Sequence, residues 1–124
     1  KNCCFVISGS LILVATGQDS GYNYYIYEDK CQVIDVSSST SCGNLPSYPY
    51  SMYAAAGGVI NNTPILCGGA VSSASPREQD SCYRFNANSN SWNLHSTMTT
   101  RRYYHAATVI NDTLFISGGY DGSS

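Results

Sequence analysis

Six cysteines, two histidines and two Asn-x-Thr triplets are the residues whose types could carry covalent or ligand chemistry. The cysteines are Cys3, Cys4, Cys31, Cys42, Cys67 and Cys82. None falls in a Cys-x-x-Cys pair, so the spacing does not suit zinc. An even number of scattered cysteines suits disulfides in an oxidising compartment. The triplets Asn61-Asn62-Thr63 and Asn111-Asp112-Thr113 agree with that setting, because Asn-x-Thr is the acceptor for N-linked glycans. Asn61 and Asn111 also admit a second reading, as turn residues chosen for their tolerance of left-handed backbone. Pro64 restricts the backbone after the first triplet, which makes Asn61 the weaker acceptor. For His95 and His105 no base–orienter partner can be assigned. Gly-x-Ser-x-Gly, His-Glu-x-x-His and P-loop patterns are absent. The sequence therefore leads to the expectation of a non-enzyme with no catalytic residue, metal or cofactor.

Composition narrows the class further. Only 11% of the 124 residues are charged, against about 25% in average soluble domains. Gly, Ser, Asn and eleven tyrosines fill the gap, which favours strands and tight turns over long solvated helices. The net charge is −2 and the densest basic spot is Arg101–Arg102. Neither nucleic acid nor an anionic membrane surface is an expected partner. No stretch reaches the ~18 apolar residues of a membrane span. The chain starts with Lys1 rather than Met, so it is read as processed or as a piece of something longer. The apolar run Cys3–Ala15 has a signal-peptide flavour. Ser8-Gly9-Ser10 interrupts it, and a hairpin accounts for the same residues.

The elements that position these residues follow from an internal repeat. Val59-Ile-Asn-Asn-Thr-Pro-Ile-Leu-Cys-Gly-Gly69 returns 50 residues later as Val109-Ile-Asn-Asp-Thr-Leu-Phe-Ile-Ser-Gly-Gly119, with six of eleven positions identical. Tyr53 and Ala56 recur as Tyr103 and Ala106. An eroded copy, Leu11-Ile-Leu-Val-Ala-Thr-Gly17, ends 52 residues before Gly69. Each copy reads as strand, Asn-containing turn, strand. A double glycine then supplies positive φ and close backbone approach. In the best copy a polar loop, Ala70–Asp80, leads to a third strand, Ser81–Phe85, and a fourth around Trp92–Leu94. Four antiparallel strands per repeat make one propeller blade.

The paired Gly68-Gly69 and Gly118-Gly119, the seven-residue step from Phe85 to Trp92, and Arg102-Tyr-Tyr-His105-Ala-Ala together resemble kelch repeats. The resemblance implies an all-β fold, a partial kelch β-propeller of about two and a half four-stranded antiparallel blades within a single segment, 1–124. Blade one spans about 4–45, with strands at Cys4–Ile7, Leu11–Thr16, Cys31–Val36 and Cys42–Leu45. Blade two spans about 53–94, with strands at Tyr53–Ile60, Pro64–Gly68, Ser81–Phe85 and Ser91–Leu94. The half blade three, about 103–119, has Tyr103–Ile110 and Thr113–Gly118. The same resemblance makes the four glycines, Trp92, Arg102 and His105 structural residues of the blades. Copper radical oxidases use a related propeller, but a copper site needs imidazoles on convergent loops. Here one of two histidines sits at a structural position, so an oxidase is not expected.

Strand placement then bears on the cysteines. Cys67 ends one strand and Cys82 starts the next, bracketing the loop almost symmetrically, so a disulfide is expected. Reduced buried thiols are the competing reading. Cys31 and Cys42 bracket a hairpin less symmetrically and are a second candidate pair. Cys3 and Cys4 remain open between a vicinal bond, another partner in the chain and a neighbouring molecule. His95 is placed in a loop. Tyr22, Tyr24, Tyr25 and Tyr27 fall between the second and third strands and are a candidate contact surface, or an ordinary strand.

Two and a half blades cannot close a ring, and an open blade presents unpaired backbone groups. Further blades of the same chain, other copies closing one ring, or copies joined head-to-tail would complete it. The expected function is a non-catalytic extracellular, secreted scaffold that binds protein partners or its own copies. A self-assembling filament subunit and a glycan-binding propeller are the alternatives.

Overall fold

The structure is a computed structural model that describes the backbone of residues 3–8, 11–21, 24–35, 37 and 40–123, with the side chains of 45–123 and of Ala15, Cys31 and Ser37. Among these residues there is no helix, and ten strands form three antiparallel sheets. The first sheet is β1 (Cys3–Ser8), β2 (Leu11–Gly21), β3 (Tyr24–Asp35) and β4 (Thr40–Leu45) in that order. The second is β5 (Ala56–Ile60), β6 (Thr63–Cys67), β7 (Ser81–Asn86) and β8 (Ser91–Thr97), again in chain order. The third pairs β9 (Ala106–Ile110) with β10 (Thr113–Ser117). Strand β5 lies beside both β1 and β9, so the first strands of the three sheets are neighbours and the sheets fan outward from them. The approach is close: a Cβ on Gly58 would come within 2.6 Å of Val109 Cγ2.

Local chemistry accounts for the hairpins. Asn61 and Asn62 have φ of 50° and 57°, and Asn111 and Asp112 have 48° and 58°. Two consecutive left-handed residues make a type I′ turn, whose twist matches the strands it joins. The closing pairs are Ile60↔Thr63 and Ile110↔Thr113. Pro64, which has no N–H to donate, sits just beyond the last β6–β7 pair, Ile65↔Arg84, so it interrupts no ladder there. Between β7 and β8, Asn86 Oδ1 accepts from the backbone N–H of Asn88 at 2.9 Å and of Ser89 at 3.3 Å, an Asx turn.

The strand limits differ from expectation in three places. Strands β5 and β9 begin at Ala56 and Ala106, not at Tyr53 and Tyr103, because Ala54 and Tyr104 adopt φ of 56° and 54° and break the extended run. Tyr53 and Tyr103 instead form isolated bridges to Ala70 and Tyr120. Strand β8 runs on to Thr97 past a bulge opposite Cys82/Tyr83, so His95 lies in a strand rather than a loop, with its side chain exposed. Strands β2 and β3 extend to Gly21 and Tyr24, so Tyr24, Tyr25 and Tyr27 are strand residues. From Tyr24 to Asp35 there is no Gly or Pro to end a strand. Tyr22 and the side chains of the other three lie outside the described residues.

Packing between the first and second sheets is aromatic. Tyr48 and Met52, in the segment joining the sheets, are fully buried with Ala15, Cys31, Leu66, Val71 and Trp92. Tyr48 meets Trp92 edge-on at 5.3 Å and Tyr83 at 5.4 Å. Trp92 Nε1 donates to the Pro46 carbonyl at 3.0 Å, so its one polar atom is satisfied. Between the second and third sheets the packing is aliphatic: Ile65, Cys67 and Cys82 meet Ile60, Met98, Leu114 and Ile116.

Candidate interaction surface

The second and third sheets each have two ends. One carries the Asn turns; the other carries the double glycines and the segments that lead into β5 and β9. At the glycine end the chain must leave β6 and reverse. Gly68 and Gly69 have φ of 65° and 96°, and Gly118 and Gly119 have 70° and 87°, a region that L side chains avoid. Space matters as well at Gly68, where a Cβ would meet the Arg102 carbonyl at 2.5 Å and His105 Cε1 at 2.7 Å. The reversal lets Ala70 and Tyr53 exchange backbone bonds at 2.9 and 3.2 Å, and Tyr103 and Tyr120 do the same at 3.0 and 2.9 Å.

This exchange gathers tyrosines that are distant in sequence. Tyr103 lies at 5.0 Å from Tyr104, 5.5 Å from Tyr120 and 6.0 Å from Tyr53 between ring centroids. Tyr53 also meets Tyr104 at 5.9 Å. Tyr53 and Tyr103 are buried and form the base. Tyr104 is 52% exposed and Tyr120 is 42% exposed. Tyr104 holds a positive φ that is unusual for a bulky side chain; its N–H donates to the Ala54 carbonyl at 3.0 Å. Tyr50 packs apart from this cluster, against Tyr83 at 6.0 Å between ring centroids, and accepts a hydrogen bond from the Tyr83 hydroxyl at 3.4 Å. Burial, then that bond to Tyr50, pushes the Tyr83 phenol up to about 12.

A structured loop borders the cluster. Val71 N–H donates to the Arg77 carbonyl and Gln79 N–H to the Gly69 carbonyl, both at 2.9 Å. Gln79 Nε2 donates to the carbonyls of Arg77 at 3.0 Å and Pro76 at 3.2 Å. Exposed Arg77 stands beside the tyrosines: interaction with Tyr53, and a hydrogen bond with Tyr103, raise its pKa. The result is a preformed patch of aromatic rings with one guanidinium at its side. Rings of this kind offer contact area and a hydroxyl at low entropic cost.

The residues singled out from sequence fall elsewhere. Cys67 and Cys82 are joined by a disulfide between directly paired positions, with Cα atoms 4.0 Å apart. Cys31 is buried, and the sheet places it opposite Ala15 and Leu45. Cys42 falls in β4 at the irregularity beside Val33 and Ile34, and its side chain lies outside the described residues, as do those of Cys3 and Cys4. Arg102 Nη1 donates to the Gly118 carbonyl at 2.6 Å, and the Arg102 carbonyl accepts from Gly69 N–H at 2.9 Å. His105 is buried against Gly68 and Gly119, with the Cys67 backbone as a polar group at its ring. Burial lowers its pKa; the nearby Cys67 backbone opposes the shift in part, and Arg102 adds to it. Among the described residues no three His, Cys, Asp or Glu side chains converge as a metal site. Sequence reading misses the cluster of Tyr53, Tyr103, Tyr104 and Tyr120. The recurrence of Tyr53 as Tyr103 is its one available signal.

Side-by-side four-stranded antiparallel sheets with neighbouring inner strands define the architecture as propeller blades. Residues 101–124 match the family model for the Kelch motif. The all-β, antiparallel sheets agree with blades of a partial kelch propeller. No curated protein matches the chain.

Proposed function

We propose that the chain is a non-catalytic, extracellular kelch-propeller module that binds a protein partner through its tyrosine-bearing end. The carrying observation is the cluster itself: two exposed rings, Tyr104 and Tyr120, standing on buried Tyr53 and Tyr103. The hydrogen-bonded loop beside them means that little ordering entropy is lost on docking. Kelch repeats generally mediate protein–protein interaction, which supports the same use. The buried Cys67–Cys82 bridge favours an oxidising compartment.

A photo-crosslinking residue at Tyr120 tests this reading in the protein's native medium. It should capture a protein partner, and the same residue at exposed Leu94 should not. Equal capture at both positions would sink the assignment of the tyrosine end. Extracellular placement is checked separately, by whether the chain recovered outside the cell carries the Cys67–Cys82 bridge.

A second reading concerns completion of the third sheet. Among the described residues β10 pairs only with β9, and Phe115 and Ile110 are more than half exposed. A free edge of this kind accepts another strand, from further blades of the same chain or from another copy. Sedimentation velocity on the chain separates these: a stable monomer excludes self-assembly.

A further inference from the structure

The two Asn turns stand at the end of the blades opposite the tyrosines. Strand β9 has five residues and rises about 3.3 Å per residue, so it separates Asn111 from the Tyr103–Tyr104 pair by roughly 17 Å. Asn61, Asn62, Asn111 and Asp112 are all exposed at the hairpin tips. In each triplet the Thr hydroxyl donates to the carbonyl of the acceptor Asn, at 3.2 Å for Thr63 and 3.4 Å for Thr113. The turns are therefore alike in backbone and in the exposure of their two tip residues, while Thr63 is half-buried and Thr113 exposed. They differ in the residue after the triplet: Thr63 leads into Pro64, a buried proline with fixed φ, whereas Thr113 leads into Leu114.

We propose that Asn111 is N-glycosylated and that its glycan covers the turn end of the blades, leaving the tyrosine end as the face open to a partner. The folded tip leaves room for the sugar, since Asn111 and both residues after it are exposed. Asp112 and Thr113 also border a groove of about 330 Å³ between the second and third sheets, floored by Ile60, Ile65, Leu114 and Ile116. A glycan at Asn111 stands at the mouth of that groove. In the transfer, Asn111 Nδ2 forms a bond to the anomeric carbon of an oligosaccharide carried as a polyisoprenyl diphosphate. The anomeric C–O bond breaks, the diphosphate leaves with the electron pair, and the amide loses one proton to a base. This proposal rests on the extracellular reading.

The test is expression of the chain through the secretory pathway of a eukaryotic cell, with intact mass read before and after amidase deglycosylation. The secreted wild type should lose one glycan mass from Asn111. Asn111→Gln should remove it, and so should Thr113→Ala, which leaves the left-handed Asn in place should the first variant fold poorly. Thr113→Ser should keep the glycan, and Asn61→Gln should leave the mass of the Asn111 glycan unchanged. Secreted chain with the Cys67–Cys82 bridge formed but Asn111 unmodified would overturn the glycan alone. Chain retained in the cell with both thiols open to alkylation would overturn the extracellular reading together with it.

Discussion

The second and third sheets are built from the same repeat, yet they bury it differently. Their turns and glycine reversals have the same backbone, with matching positive φ at Asn61/Asn111, Asn62/Asp112, Gly68/Gly118 and Gly69/Gly119. Their burial diverges. Strand β6 is buried from Pro64 through Cys67, whereas β10 alternates half-buried and exposed positions. Ile65 is in the core; its counterpart Phe115 is 52% exposed. The reason is neighbours. Strand β6 has β5 on one edge, β7 on the other and a sheet against each face, while β10 has β9 and one covered face. Conformation at these positions is local, and burial is not.

The largest expected effect comes from breaking what only the second sheet has. Trp92→Ala removes a buried indole, its bond to Pro46 and its contacts with Tyr48 and Phe85. It should cost about 4 kcal/mol, read from the shift in urea midpoint. On the same strand, exposed Leu94→Ala should stay within about 0.5 kcal/mol. Equal costs would mean that Trp92 does not anchor β8.

Next comes the bridge. Its cysteines are 15 apart in sequence, and a loop of that size is worth about 3 kcal/mol in the chain-entropy account. Replacing both cysteines by serine should lower stability by that order in urea unfolding. Ser117, the third-sheet counterpart of Cys67, should tolerate alanine with little change.

The glycines sharpen the comparison at one backbone geometry. Gly118→Ala meets nothing within 4 Å, so it should lose only the conformational cost of a left-handed alanine, about 1 kcal/mol. Gly68→Ala adds a clash with the Arg102 carbonyl and His105, and should cost about 2 kcal/mol more. Thermal or urea unfolding of the two variants measures the gap directly, and equal losses would refute the packing difference.

The smallest effect is pH-dependent and belongs to the seam between the two sheets. Burial lowers the His105 pKa below the ordinary 6.5. The unfolded chain therefore binds the proton first as pH falls. Stability should be full above about 6.5, fall as pH drops from there toward the folded pKa, and level off below it. His105→Gln should flatten that part of the stability–pH profile. An unchanged slope would remove His105 as its source.

How much of this is legible in the sequence depends on range along the chain. The 50-residue repeat, the Asn turns and the glycine reversals come from residue chemistry over four or five positions, and they are readable. So is the Cys67–Cys82 pair, because the loop it brackets fixes a cross-strand register. Strand starts are not readable at Tyr53 and Tyr103, since positive φ at Ala54 and Tyr104 is imposed by the bridges to Ala70 and Tyr120. Sequence points to Tyr22–Tyr27 as a contact surface because those tyrosines are adjacent in the chain. The cluster instead joins Tyr53, Tyr103 with Tyr104, and Tyr120 from three separate segments.

Residue order therefore sets the blade: its period, its hairpins, its double-glycine exits and the partners of its short-range bonds. These rest on backbone preferences that each residue carries wherever it is placed. Which tyrosines stand together, why β6 is buried and β10 is not, and how His105 comes to lie buried between Gly68 and Gly119 are outcomes of sheet against sheet. Burial and aromatic contact depend on atoms far away in the chain, and only packing brings those atoms near.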